Sequence, residues 1–300
     1  MKIVITGSLG NISKPLAEEL IEKGHRVVVV SSKQERVKAI EDIGATAAIG
    51  TMEDVSFLTE AYKGADIIYA MESLAYGAFF DKNLDFIDAN TRIGNCHKEA
   101  IQQAGVKKVV HLSSIGAHTN KGIGILKFHY NVEKLLSELP ADVSIKFMRP
   151  VGFYYNMFQF VDSIKRQGTI FSNYGGDVKE PWVSPLDIAS TIAEEMDKPF
   201  EGREVRYIVS DEVSPNQIAK TLGKAIDIPN LKWETIPTEQ MLNGMIAVGM
   251  NPETAKGFIE MNEARVNGIL YEDYYKSKPV LGKIKLEDFA KDFANVFKKE

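Results

Sequence analysis

The feature that most constrains this chain is the way its first strand ends. "KIVIT" (2–6) runs straight into "GSLGNIS" (7–13), and then into a helical stretch that Gly24 closes. The same alternation continues. "RVVVV" (26–30) precedes a helix through Val37, Ile40 and Ile43, and "TAAIG" (46–50) precedes a short helix at about 54–63. "DIIYA" (66–70) leads through an irregular aromatic segment into a long helix from about 84 to 104. "KKVVHLSS" (107–114) leads through a loop into a helix near 126–139, and "SIKFMRP" (144–150) is a sixth strand. Strands this continuously apolar are covered on both faces, which calls for a parallel sheet between two helix layers. The pattern predicts an α/β, Rossmann-type doubly wound sheet with its ligand at the carboxyl ends of the strands.

After Pro150 the texture changes. Longer loops carry Gly175, Gly176, Pro181 and Pro185, "EVRYIVS" (204–210) reads as one more strand, and the remainder is mostly helical. The expected division is a nucleotide-binding domain over 1–155 and a smaller substrate lobe over 156–300, with no clean linker and no internal repeat. The strand near 204–210 is a candidate to return to the main sheet. The last helix sets Phe289, Phe293, Val296 and Phe297 on one stripe, which predicts docking on the chain's own core.

Gly7 and Gly10 allow the backbone to turn tightly and approach a pyrophosphate, and the free amides and positive dipole end of the helix then hold the charge. Ser8, Leu9, Asn11 and Ile12 complete this candidate cradle. Pro15 sits in the first helical turn, where its missing amide costs least. Ser13 occupies the third small position, where its bulk predicts slightly looser helix–strand packing. At the end of the second strand an acidic residue would bond a ribose diol and repel a 2′-phosphate. The chain instead has Ser31, Ser32 and Lys33, with Arg36 a turn beyond, so NADP(H) is expected over NAD(H). Ala70 and Met71, Ser113, and Pro150 with Phe153 lie at the ends of the fourth, fifth and sixth strands and are the other candidate cofactor contacts.

Composition narrows the function classes. A net charge of −5 gives no electrostatic footprint for nucleic acid. No apolar run is long enough to span a membrane, no secretory signal is visible, and a single cysteine, Cys96, fits a cytoplasmic protein. Cys96 falls on a helix face with Ile93, His97 and Ala100, which predicts a buried, inert thiol. The five histidines show no metal-binding spacing, so no metal site is expected.

The chain resembles the NmrA-like family of atypical short-chain dehydrogenases/reductases, in particular its bacterial members similar to NADPH:quinone oxidoreductase and triphenylmethane reductase. The matching stretches are "ITGSLGNISKPL" (5–16), "AGVKKVVHLSS" (104–114), "RPVGFYYNM" (149–157), "WVSPLDIA" (182–189) and "VSPNQIAKTLGKAIDIP" (213–229). The resemblance implies a Rossmann fold, NADP(H) in the crevice and substrate between the lobes. Three positions depart from the family pattern: Ser13 at the third glycine, Ser32 where an arginine often meets the 2′-phosphate, and His129.

Catalytic short-chain dehydrogenases use a Tyr-x-x-x-Lys pair to protonate a carbonyl. Tyr130 and Lys134 have that spacing, but Val132, Leu135, Leu136 and Leu139 fix the buried stripe of their helix. At about 100° per residue, Tyr130 and Lys134 point roughly 160–200° away from Val132, while His129 lies about 60° and Ile125 about 20° from it. The resemblance agrees, since it implies His129 at the lysine position and Ile125 at the tyrosine position. An electron-poor acceptor needs less help than a carbonyl, because it takes hydride directly from the cofactor. The reading is therefore an NADPH-dependent oxidoreductase for a quinone-like or conjugated electrophile. His129 is its candidate catalytic residue; Phe153, Tyr154, Tyr76 and Phe79 are its candidate substrate contacts. The alternatives are a non-catalytic NADP(H) sensor, which implies a protein partner, and a nucleotide-sugar epimerase or dehydratase, which would need the tyrosine–lysine pair in the crevice.

Overall fold

A computed structural model describes residues 1–299. Six strands alternate with helices through the first half: β1 (Lys2–Ile5), α1 (Ser13–Glu22), β2 (Arg26–Ser31), α2 (Val37–Asp42), β3 (Thr46–Ile49), α3 (Val55–Tyr62), β4 (Ile67–Ala70), α4 (Phe86–Ala104), β5 (Lys108–Leu112), α5 (Lys127–Ser137) and β6 (Ser144–Pro150). The second half adds β7 (Gly152–Phe153), α6 (Val161–Gln167), β8 (Thr169–Ser172), β9 (Glu180–Val183), α7 (Pro185–Asp197), β10 (Arg203–Ile208), β11 (Asp211–Val213) and α8 (Pro215–Ala225). It ends with β12 (Lys232–Thr235), α9 (Thr238–Ala247), α10 (Pro252–Val266), α11 (Glu272–Ser277) and α12 (Leu286–Lys299).

The main sheet runs β10-β6-β5-β4-β1-β2-β3 with every neighbouring pair parallel. Alternation along each strand feeds two cores. Ile3, Ile5, Ile67, Tyr69, Val110 and Met148 meet α1 and α7 on one face. Val4, Ile68, Val109, Ile145 and Phe147 meet α3, α4 and α5 on the other. This double coverage is why the strands read as unbroken apolar runs.

The division at 155/156 is crossed by the chain. After residue 155, α7 packs beside α1 in the main core, and β10 pairs in parallel with β6 along Arg203↔Ile145 to Ile208↔Pro150. The Rossmann unit is thus completed from the second half, because β6 would otherwise leave an open, apolar edge. The smaller lobe has its own core, in which Trp233, Phe160, Phe289 and Phe293 are buried and α12 lies against α8. The expected docking of the last helix holds.

Candidate functional site

The turn after β1 is built for close approach. Gly7 has φ 89° and Ser8 φ 56°. A Cβ on Gly7 would sit 2.5 Å from Met71 Sδ and 2.7 Å from Ser13 Oγ, and one on Gly10 would lie 3.1 Å from the Gly7 carbonyl. Ser13 does not loosen the packing as expected. Only 1 % exposed, it donates from its hydroxyl to the Thr6 carbonyl at 2.9 Å and fastens α1 to the end of β1. Ile12, at the start of α1, supplies no side-chain cap, and the first turn carries no acid. By contrast Asp54, Asp85, Ser184, Ser214 and Asn251 cap α3, α4, α7, α8 and α10. The Lys14 amide bonds the Gly10 carbonyl and Pro15 has none, so the amides of Asn11, Ile12 and Ser13 and the helix dipole are what remain for an outside anion.

The residues after β2 divide their roles. Ser31 is buried, and its Oγ accepts from Ser8 Oγ at 2.9 Å and from the Lys33 amide at 3.3 Å. It braces the turn from within instead of standing open to a ligand. Ser32, Lys33 and Arg36 are exposed. Among the described residues neither cation has an ion-pair partner, so both face solvent at the strand end.

Behind the carboxyl ends of β4 and β5 lies a buried polar cluster. Met71 donates its amide to Thr6 Oγ1 at 3.0 Å, tying β4 to the phosphate turn. His97 Nε2 lies 3.1 Å from the Met71 carbonyl and Nδ1 lies 2.8 Å from the Tyr62 hydroxyl. A carbonyl only accepts, so Nε2 carries the proton and Nδ1 accepts from Tyr62. Burial lowers the His97 pKa and agrees with that neutral tautomer. Glu72 is paired with His111 Nε2 at 3.0 Å, both side chains fully buried. Burial works to raise the Glu72 pKa, but His111, with His97 and His129 nearby, outweighs it and holds the carboxyl below its usual range.

His129 packs on Phe128 with ring centroids 3.9 Å apart, and its Nδ1 is buried without a hydrogen-bond partner in the chain. Burial depresses its pKa from the usual 6.5 to about 3, so the ring is neutral at physiological pH. The expected stripe of α5 holds at Val132, Leu136 and Leu139, which are buried, and Lys134 is exposed as expected; Leu135, expected buried, is only half-buried, and Tyr130 is half-buried like His129. Ile125 is buried beneath α10, where a Cβ on Gly257 would come within 2.5 Å of it. Gly124 is nearer still, its virtual Cβ 1.8 Å from the Gly257 carbonyl, so only glycine allows the two backbones to meet.

A charged network here escaped the sequence reading. Ser113 donates to Glu133 Oε1 at 2.5 Å, and Arg149 bonds both oxygens of Glu133, at 2.9 and 2.6 Å. Arg149 then reaches Asp273 of α11 at 3.1 Å, to which Tyr207 also donates at 2.9 Å. The signal was present: Glu133 adjoins the buried stripe and Arg149 sits inside an apolar strand, and charges so placed need buried partners.

The aromatic candidates do not all face one cleft. Phe153 is half-buried at the end of β7, 5.2 Å from the Tyr155 ring, and Pro150 is buried with its carbonyl accepting from Ile115. Tyr154 is the correction. It is 1 % exposed and stacked on Phe289 at 5.3 Å, a core contact of the small lobe. Tyr76 is 76 % exposed, on a single helical turn at Tyr76–Phe79, while Phe79 packs on Phe86 and Phe258. Cys96, expected to be buried, is only half-buried, and burial first, then nearby acids, push its thiol up. Among the described residues no cluster could hold a metal ion, and no helix is long and apolar enough to cross a membrane.

Comparison with known proteins places these features in a family. The model of the NmrA-like family matches residues 1–276. An Escherichia coli NADPH-dependent quinone oxidoreductase, solved with NADPH, superposes with TM-score 0.79 at 19% identity, covering 97% of this chain and 99% of that one. Triphenylmethane reductase of Citrobacter sp. superposes with TM-score 0.78 at 16% identity, covering 98% and 100%. At such identities the likeness is one of fold. Sterol demethylase protein B of Methylococcus capsulatus is 25% identical over 132 residues, 44% of this chain and 40% of that protein. The chain thus spans less than half the length of the curated relatives it matches.

Proposed function

Because the chain belongs to the NmrA-like family, we propose that it is an NADPH-dependent oxidoreductase that delivers hydride to a quinone-like or other conjugated small electrophile. The observation that carries this reading is His129 of α5, its Nδ1 buried without a partner, together with the buried Ile125 just ahead of the helix. By the family resemblance Ile125 and His129 take the positions of a carbonyl reductase's proton-donating pair, while Lys134 is exposed and Tyr130 half-buried. Ile125 has no proton to give, and neutral His129 can donate a hydrogen bond but holds no spare proton at neutral pH. An acceptor that needs no acid at the moment of hydride transfer suits this site; a simple aldehyde does not.

The chain's own residues supply position and dryness. The amides of Asn11, Ile12 and Ser13, just after Gly10, would hold the pyrophosphate, with Ser8, Ser13 and Ser31 bracing the turn. Ser32, Lys33 and Arg36 leave the 2′ position free of a paired carboxylate, which supports NADP(H) over NAD(H). Bound there, the dinucleotide supplies the hydride. Half-buried Phe153 is the candidate aromatic contact for a flat acceptor, and His129, its Nδ1 unpaired in the chain, the candidate hydrogen-bond partner. The quinone and dye reductases among the structural neighbours support this acceptor class. The composition supports a cytoplasmic location.

NADPH oxidation against quinones, cationic dyes and aldehydes tests the proposal. Turnover with quinones or dyes and none with aldehydes is expected, and Phe153→Ala should weaken it. Tight NADPH binding with no oxidation by any acceptor would replace this reading with a nucleotide sensor that reports to a protein partner.

A further inference from the structure

The sequence "TEQMLNGMIAVGMN" (238–251) forms α9 and its exit, and the helix is anomalous. Half of its ten residues are apolar, yet none is buried. Val248, just beyond it, is 72 % exposed and Ile246 is 38 % exposed. One side of α9 lines a groove of about 430 Å³ with Phe171, Ile236, Met241, Gly244, Met245 and Val248. The spacing 241, 244, 245, 248 is one helical stripe. Gln167 and Gln240 are the groove's other lining residues, and it holds no charged side chain.

The groove ends next to the aromatic turn at 76–80, whose Phe79 packs through Phe86 and Phe128 toward His129. It ends at Val248, and a Cβ on the next residue, Gly249, would lie 3.9 Å from the Phe80 ring. Phe80 touches Tyr76 at 5.4 Å between centroids. Asn251 fixes the junction: its amide donates to the Asp81 and Leu84 carbonyls at 2.8 and 3.3 Å, and its backbone N–H donates to Phe79. An uncharged, methionine-lined channel of this volume matches a flexible hydrocarbon chain. Thioether side chains adapt to such a chain, and the absence of charge disfavours a peptide or an anion.

We propose that this groove binds the apolar tail of a lipophilic acceptor whose ring lies at the hydride-transfer site, so that the substrate class is a quinone or similar ring bearing a prenyl- or alkyl-like chain. The assignment rests on the oxidoreductase reading above for the position of the ring, but the groove itself is testable without turnover. Gly244 supplies the test, since a Cβ there meets nothing within 4 Å. Gly244→Phe fills the groove without touching the core and removes a glycine from a helix interior, where it is unfavourable.

Calorimetric titration of the wild-type protein, loaded with NADP⁺, compares a benzoquinone carrying a decyl chain with the same ring lacking it. The chain should tighten binding by at least about tenfold, the consequence of burying a few methylenes. In Gly244→Phe, or in Met245→Glu should the first variant fold poorly, that gain should largely vanish while the chainless ring binds as before. Equal affinities of the two quinones for the wild type would overturn the proposal, as would a chain gain that survives both variants. So would a wild-type dimer that Gly244→Phe dissociates, which would give the groove to a second copy. Loss of the oxidoreductase reading would look different: the chain gain would persist with no NADPH oxidised.

Discussion

Ser13 donates inward to the Thr6 carbonyl and Ser31 accepts from Ser8, which leaves Ser32, Lys33 and Arg36 as the exposed groups on which the proposed cofactor preference rests. Ser32→Asp places a carboxylate beside the expected 2′-phosphate and should invert the preference, so that NADH binds more tightly than NADPH. Fluorescence titration of both nucleotides reads this directly, and equal wild-type affinities would refute it. His129 sets a pH dependence of stability. Its folded pKa of about 3 lies below the usual 6.5, so between those values the unfolded chain binds more protons than the folded one. Its contribution is complete above pH 6.5 and is lost as pH falls toward 3, by up to about 1.4 kcal/mol per pH unit. Denaturant unfolding at pH 7 and pH 5 should therefore show a loss that His129→Asn reduces, the remainder coming from His97 and His118, whose pKa values burial also lowers. An unchanged slope in the variant would show that other groups govern it.

At the scale of elements, the proposed mechanism rests on α5. Its face was legible because apolar residues recur at helical spacing, and that stripe outweighed the literal Tyr130/Lys134 match. Tyr130→Phe should keep turnover within about twofold, since no proton passes through it. A large loss of steady-state rate with cofactor affinity intact would mean the wrong face was chosen. The strands and the glycine turn were equally legible, because each repeats a local pattern. The network from Ser113 through Glu133 and Arg149 to Asp273 was not. Its members come from the loop after β5, from α5, from β6 and from α11, and no local spacing connects residues 133, 149 and 273. Tyr154 was misplaced for a similar reason. It follows β7 at the carboxyl edge as expected, but its ring turns to Phe289, a neighbour 135 positions on that only tertiary packing brings close.

Over the whole molecule, the two units are fastened at several points around the crevice. Arg149–Asp273 joins β6 to α11, and Asn251 joins the start of α10 to the loop after β4 while also capping α10. Asn251→Ala removes a helix cap and two hydrogen bonds to carbonyls, which should cost about 2–3 kcal/mol. It should also expose the 76–84 loop to protease, and an unchanged unfolding midpoint would show the clasp to be incidental. The closed face beneath α10 and the neutral His129 leave hydride transfer without a protein acid, and that is the central claim. The measurement that tests it is single-turnover oxidation of NADPH deuterated at the transferred position, with a quinone acceptor, in the wild type and in Tyr130→Phe. The account predicts a primary isotope effect of the same size in both proteins and a rate that does not fall when Tyr130 loses its hydroxyl. No isotope effect together with a collapse of the rate in Tyr130→Phe would contradict it.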